Sequence, residues 1–120
     1  MIQNLEDIRL QAKKFADDRN WAQFHSPKNL SMALSVEAAE LMEHFQWLNE
    51  SESASPNAAK VATIAEEVAD VQIYLVMLAD KLGIDILTAV SEKIKKNEKR
   101  YPAHRVFGSA RKHSEYQENP

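Results

Sequence analysis

Apolar residues recur at intervals of three and four along almost the whole chain. Leu5, Ile8, Ala12 and Phe15 share one face and predict a first helix over residues 4–18. The segment 20–29, NWAQFHSPKN, breaks that period. Ser26-Pro27 marks a boundary, because a residue before proline avoids helical geometry. A second predicted helix, over about residues 27–47, turns Leu30, Leu34, Ala38, Leu41, Phe45 and Leu48 inward. The stretch 49–57, NESESASPN, reads as a polar loop. A long third helix over about 58–82 carries Val61, Ile64, Val68, Val71, Leu75 and Leu78 on its core stripe, and Gly83 is a natural C-terminal cap. Asp85 can cap a fourth helix with Ile86, Leu87, Val90 and Ile94, which stops before Pro102. From Ala103 the chain is polar and basic (Arg105, Arg111, Lys112) and is expected to be a loosely ordered, solvated end.

The pattern predicts an all-α protein: a small four-helix bundle over residues 1–102 with a tail over 103–120. Only two glycines and four prolines interrupt it, which agrees. The run Ile73 to Leu78 is apolar around much of the helix, more than one small bundle can bury. A second subunit is the expected cover, so a homo-oligomer is predicted.

Composition removes several function classes. A chain of 120 residues fits one domain, and 44% hydrophobic residues suffice for a core. A net charge of -3 gives no general attraction to a nucleic-acid polymer. Without cysteine there can be no disulfide and no thiolate metal site. No run approaches the roughly 20 apolar residues of a membrane span, and MIQNLEDIRL has no apolar signal core. The expectation is a soluble, cytoplasmic protein with no membrane partner.

Two acidic pairs stand out against this background: Glu37-x-x-Glu40 and Glu67-x-x-Asp70. At this spacing the two side chains of a pair lie one helical turn apart on nearly the same face. At about 100° per residue, Leu34, Leu41 and Leu48 fall within roughly 60° of Glu37, while Ile64, Val71, Tyr74 and Leu78 do so around Glu67. Glu37 and Glu67 therefore belong to apolar stripes, with Glu40 and Asp70 at their edges. Glu66, about 100° away, is solvated. One ExxE pair on a charged helix face means little. Two pairs displaced into apolar stripes on consecutive helices need compensation, since two like charges about 4 Å apart repel by about 4 kcal/mol even at an effective dielectric of 20. Lys93 or Arg100 could supply it as a salt bridge. A carboxylate-only set otherwise favours a hard cation, Mg²⁺ or Mn²⁺. A di-iron bundle would want Glu-x-x-His, and none of His25, His44, His104 or His113 has a glutamate three positions earlier.

Several other residues share these helices. Trp47 lies about three turns beyond Glu37 on the same general side, and Tyr74 one turn beyond Asp70; either can be plain core. Trp21 and His25 flank the irregular segment, where they could hold a base or cap the bundle. Lys93 and Asn97 share a face at i,i+4, which suits a triphosphate beside an acidic metal site but is also ordinary helix surface.

Glu37-Ala-Ala-Glu40-Leu, Glu66-Glu67-Val-Ala-Asp70-Val, Lys93 with Asn97, and Arg100-Tyr101-Pro102 together resemble the MazG-like superfamily of all-α nucleotide pyrophosphatases. QFHSPKNL (23–30), Phe45-Gln46-Trp47, Tyr74-Leu75-Val76 and RYPAH (100–104) resemble its dCTP pyrophosphatase branch, and the resemblance covers nearly the whole chain. It implies a Mg²⁺-dependent enzyme that cleaves a nucleoside triphosphate between the α and β phosphates, built as a tetramer of intertwined dimers. By position it implies metal ligation by Glu37, Glu40, Glu67 and Asp70. It implies a nucleoside pocket lined by Trp21, His25, Asn29, Trp47 and Tyr74, and phosphate contacts from Lys93 and Asn97. Glu37 or Glu40 would take the proton of the attacking water, and Lys93 would screen the leaving pyrophosphate. The chain departs from eukaryotic members of that branch in having Ala12 where they carry a histidine, and in a shorter 49–57 loop. Two rival functions remain at this point. One is a broad house-cleaning dNTP pyrophosphatase; the other is a non-catalytic helical oligomerisation module.

Overall fold

The four long helices of this chain begin where a polar side chain can take up free amides of the first turn. Asn4 accepts from Asp7 N at 2.8 Å, Ser26 from Asn29 N at 3.1 Å and Asn57 from Lys60 N at 2.8 Å. Asp85 does the same for Leu87 and Thr88. In the computed structural model, which describes residues 1–111 and 113–116, these caps open α1 (Leu5–Asp18), α2 (Pro27–Glu43), α4 (Ala58–Lys81) and α5 (Ile86–Arg100). Two one-turn helices, α3 (Glu50–Ser53) and α6 (Ala103–Val106), complete the α-helices among the described residues, which include no strand. The all-α class expected from the sequence is the observed one. Lys112 lies outside the described residues.

Two helix ends are closed by the same device. Beyond α1, Trp21 N bonds Ala16 O at 2.9 Å and Asn20 N bonds Asp17 O at 3.1 Å. Beyond α4, Ile84 N bonds Ala79 O at 2.9 Å and Gly83 N bonds Asp80 O at 3.2 Å. Both are Schellman closures, which need a left-handed residue. Asn20 takes φ +55° and Gly83 φ +66°.

Three differences from the expected elements have local causes. The second predicted helix stops at Glu43 rather than near Trp47. His44 N and Phe45 N reach back only three residues, to Leu41 O and Met42 O, and this tightening satisfies the last carbonyls. The polar loop contains α3, nucleated by a capping box in which Asn49 and Glu52 satisfy each other's backbone amides. The tail expected to be loose carries α6 and a 3₁₀ turn over His113–Tyr116.

The chain divides into two compact units, Met1–Ile84 and the residues from Asp85 onward. In the first, α4 packs along α2 and, over a shorter length, along α1. Ala16, Leu30, Val76 and Ala79 are its buried apolar residues, Leu30 the most completely. Ile64, Val71 and Leu78 are half-buried. Val61, Val68 and Leu75, expected on the same stripe, are exposed, Val68 by 52%. They lie three residues earlier along the helix, about 60° around its axis. Ala38 and Leu48 are exposed as well. Arg9 ties α1 to α4 through Asp80 at 3.4 Å.

Candidate active site

The packing of α2 against α4 brings acids of both helices together. Carboxylate oxygens of Glu37, Glu67 and Asp70 all lie within 4.8 Å of one another. One oxygen each of Glu37 and Glu67, Oε2 in both, is buried without a hydrogen-bond partner. Buried polar atoms normally find partners, so two orphaned carboxylate oxygens in one cluster are groups that could hold a cation. Glu40 is half-buried beside Glu37 but outside the group of three. Glu66 is exposed.

Glu37 bears the electrostatic strain. Burial raises its pKa to about 7, with hydrogen bonding to Glu40 next and then the charges of Glu40, Asp70 and Glu67. A carboxyl group so placed holds a proton near neutrality unless a cation replaces it.

Asp70 also lines an open cavity of about 370 Å³ bordered by α1, the turn after it and α4. Ile8, Phe15, Ile73 and Met77 supply apolar walls; Gln11, Ala12, Trp21, His25 and Tyr74 share the lining. Such a mostly apolar hollow with few polar groups is what a small organic ligand needs. The Trp21 wall is held in several ways. The Schellman closure fixes its backbone, and its ring meets Phe15 edge-to-face with centroids 5.8 Å apart. The Arg19 guanidinium covers that phenyl ring at 3.5 Å. His25 ends the short 3₁₀ turn Ala22–Phe24.

The remaining residues singled out by the sequence are placed differently. Asn29 does not line the cavity; its Nδ2 donates to Phe24 O at 2.9 Å and pins the turn that carries His25. Trp47 is 87% exposed and lies outside the cavity. Lys93 and Asn97 are exposed on α5 in the second unit, where Asn97 O accepts from Tyr101 N at 2.8 Å.

One neighbour of the acids escaped the sequence reading. His44 Nε2 lies 3.8 Å from Glu67 Oε1. A search for Glu-x-x-His misses it. The i,i+7 spacing from Glu37 would have found it, since seven residues bring a helix back to within about 20°.

The chain thus combines an all-α fold, an acid cluster on two packed helices and an adjoining apolar cavity. A model of the MazG-like family matches residues 32–115, and the chain belongs to that family. It is 44% identical to human dCTP pyrophosphatase 1 over 113 residues, which is 92% of this chain and 66% of the human protein. The mouse protein of that name is 45% identical over 114 residues, with the same shares. The chain therefore spans just under two thirds of these relatives. A pyrophosphatase from Archaeoglobus fulgidus superposes with a TM-score of 0.66 and 34% identity, over 85% of this chain and 95% of that one. No helix among the described residues is long and apolar enough to cross a membrane.

Proposed function

We propose that the chain is a Mg²⁺- or Mn²⁺-dependent nucleoside triphosphate pyrophosphohydrolase. It would convert a deoxynucleoside triphosphate to the monophosphate and pyrophosphate, with dCTP or a modified dCTP as substrate, and so clean the cytoplasmic nucleotide pool. One observation carries the reading: Asp70 belongs both to the acid cluster and to the cavity wall. A nucleoside lodged beside Trp21, His25 and Tyr74 would direct its phosphates toward Glu37 and Glu67. The relatives named dCTP pyrophosphatase 1 support the choice of base.

Glu37, Glu67 and Asp70 would hold the cation, with Glu40 adjoining. The orphaned Oε2 atoms fit it, because hard carboxylate oxygens suit these ions. Bound there, the ion supplies charge neutralisation at phosphate oxygens and acidifies water. Glu40, beside Glu37 but outside the three, is our assignment for the base that accepts the water's proton. Lys93 and Asn97 are assigned to the phosphates through the family resemblance alone. We further propose a homo-oligomer, a dimer of dimers, in which a second chain covers Trp47 and the exposed row on α4.

Hydrolysis of the eight common NTPs and dNTPs with Mg²⁺, scored for pyrophosphate against phosphate, tests the reading. Pyrophosphate release with dCTP preferred is expected; no hydrolysis of any triphosphate would leave a helical assembly module. The small Ala12 and Ala16 side chains on the cavity wall favour a second reading, broad base tolerance, which the same panel separates. Glu37→Ala, Glu40→Ala, Glu67→Ala and Asp70→Ala should each remove most turnover while the fold survives, and full activity in any one removes that residue from the site.

A further inference from the structure

Glu67 has two kinds of neighbour. Its carboxylate converges with those of Glu37 and Asp70, and the imidazole of His44 approaches it, with Nε2 3.8 Å from Oε1. The two side chains are similarly sheltered, 15% exposed for His44 and 19% for Glu67. His44 is the residue that caps α2, and its backbone is fixed by a bond from its N–H to Leu41 O at 3.3 Å. Glu67, by contrast, has a long side chain and an oxygen without any partner. A glutamate with three rotatable bonds holds a cation well only if its rotamer is set beforehand.

We propose that His44 is a positioning residue for Glu67, donating its Nε2–H to Oε1 so that the carboxylate is presented to the cation shared with Glu37 and Asp70. The inference rests on the cation reading of those three acids. The 3.8 Å separation is longer than a hydrogen bond, so the contact forms as the two side chains close on each other. His44 itself is outside the group whose oxygens converge, so it acts through Glu67 rather than as a further ligand of the same ion. Partners one bond removed from a metal typically control its affinity by about 10–100-fold.

Mn²⁺ titration of the full chain, followed by the electron paramagnetic resonance of the free ion, reads this without turnover. His44→Leu keeps the apolar bulk and should weaken Mn²⁺ binding by about tenfold or more. His44→Gln, whose amide can reach the same oxygen, should restore it to within about threefold, the size of ordinary context effects on a conserved hydrogen bond. Melting temperatures measured in chelator should be equal for all three proteins, which a purely packing role would not give. Should the leucine variant not fold, His44→Asn takes its place, since its shorter side chain falls short of Glu67. Unchanged affinity in the leucine or asparagine variant overturns the assignment, as does equal loss in the glutamine variant. A wild-type chain that takes up no Mn²⁺ overturns the cation reading itself, and the assignment with it.

Discussion

A carboxyl group that keeps its proton to about pH 7 weakens the metal-free fold in neutral solution. In the unfolded chain Glu37 ionises near 4.5. Its raised folded value means that the native state alone binds the proton between those two limits. The contribution to stability is complete below about pH 4.5 and is lost as the pH rises through about 7. Glu37→Gln, which cannot ionise, should therefore raise the melting temperature in chelator at pH 8 and change it little at pH 4.5, while abolishing turnover. Equal shifts at both pH values would show that burial strain on Glu37 is not the cause. A second test at this scale concerns the cavity. Ala12 lies on its wall, and Ala12→His would fill part of the 370 Å³. The KM for purine triphosphates should rise more than that for dCTP; equal increases would place the base elsewhere. Stripe arithmetic made Glu37 and Glu67 legible as inward acids, because 3.6-residue periodicity fixes direction around one helix. The same arithmetic puts His44 on the face of Glu37, seven residues on, but its approach to Glu67 depends on the register between two helices.

The turn after α1 sets one wall of the cavity. Trp21 takes its place there because Asn20 adopts φ +55° and lets Trp21 N close on Ala16 O. A β-branched residue resists that left-handed geometry by about 1–2 kcal/mol. Asn20→Val should lower stability by about that amount, and the strain can also be relieved by moving Trp21 away from Phe15. Nucleotide binding should then fall, and Asn20→Gly should retain both stability and binding. A valine variant with normal binding would show that the turn does not position Trp21. The sequence reading located this segment as irregular but could not give its closure. Asn20 follows Asp17, Asp18 and Arg19, and in that polar run an asparagine is a weaker signal of a left-handed residue than a glycine. Gly83 is different: a glycine directly after a periodic stretch announces the same closure, and the end of α4 was legible for that reason. The capping box at Asn49 and Glu52 was equally visible as N-x-x-E, but it lies in a segment whose polarity had suggested a loop.

At the scale of the molecule, the row Val61, Val68, Leu75 and Leu82 repeats every seven residues along α4 and is exposed over its length. Inside the first unit it has no role, since Ile64, Val71 and Leu78 already make the half-buried stripe. Periodicity alone could not separate the two rows, which lie within about 60° of each other on a helix apolar on several sides. Burial decides between them: Ile64, Val71 and Leu78 are half-buried, and the other row is exposed. A seven-residue repeat is the spacing at which one helix packs along another, so in the proposed homo-oligomer a second copy's helix would lie along the row. Val68, near its middle, is the position where a charge does most harm. Burying one valine at an interface is worth about 1.5–3 kcal/mol, roughly 10–100-fold in association. Val68→Lys adds the desolvation of an ammonium group to that loss. Light scattering on the wild-type chain should give a multiple of 13.7 kDa at micromolar concentration, and Val68→Lys should shift it toward the monomer. The wild-type melting temperature should also rise with protein concentration, as it does when only the folded state associates. Glu66→Lys, an exposed substitution away from that row, controls for charge alone and should leave the mass unchanged. A Val68→Lys chain with the wild-type mass would mean that the row is not the contact between copies.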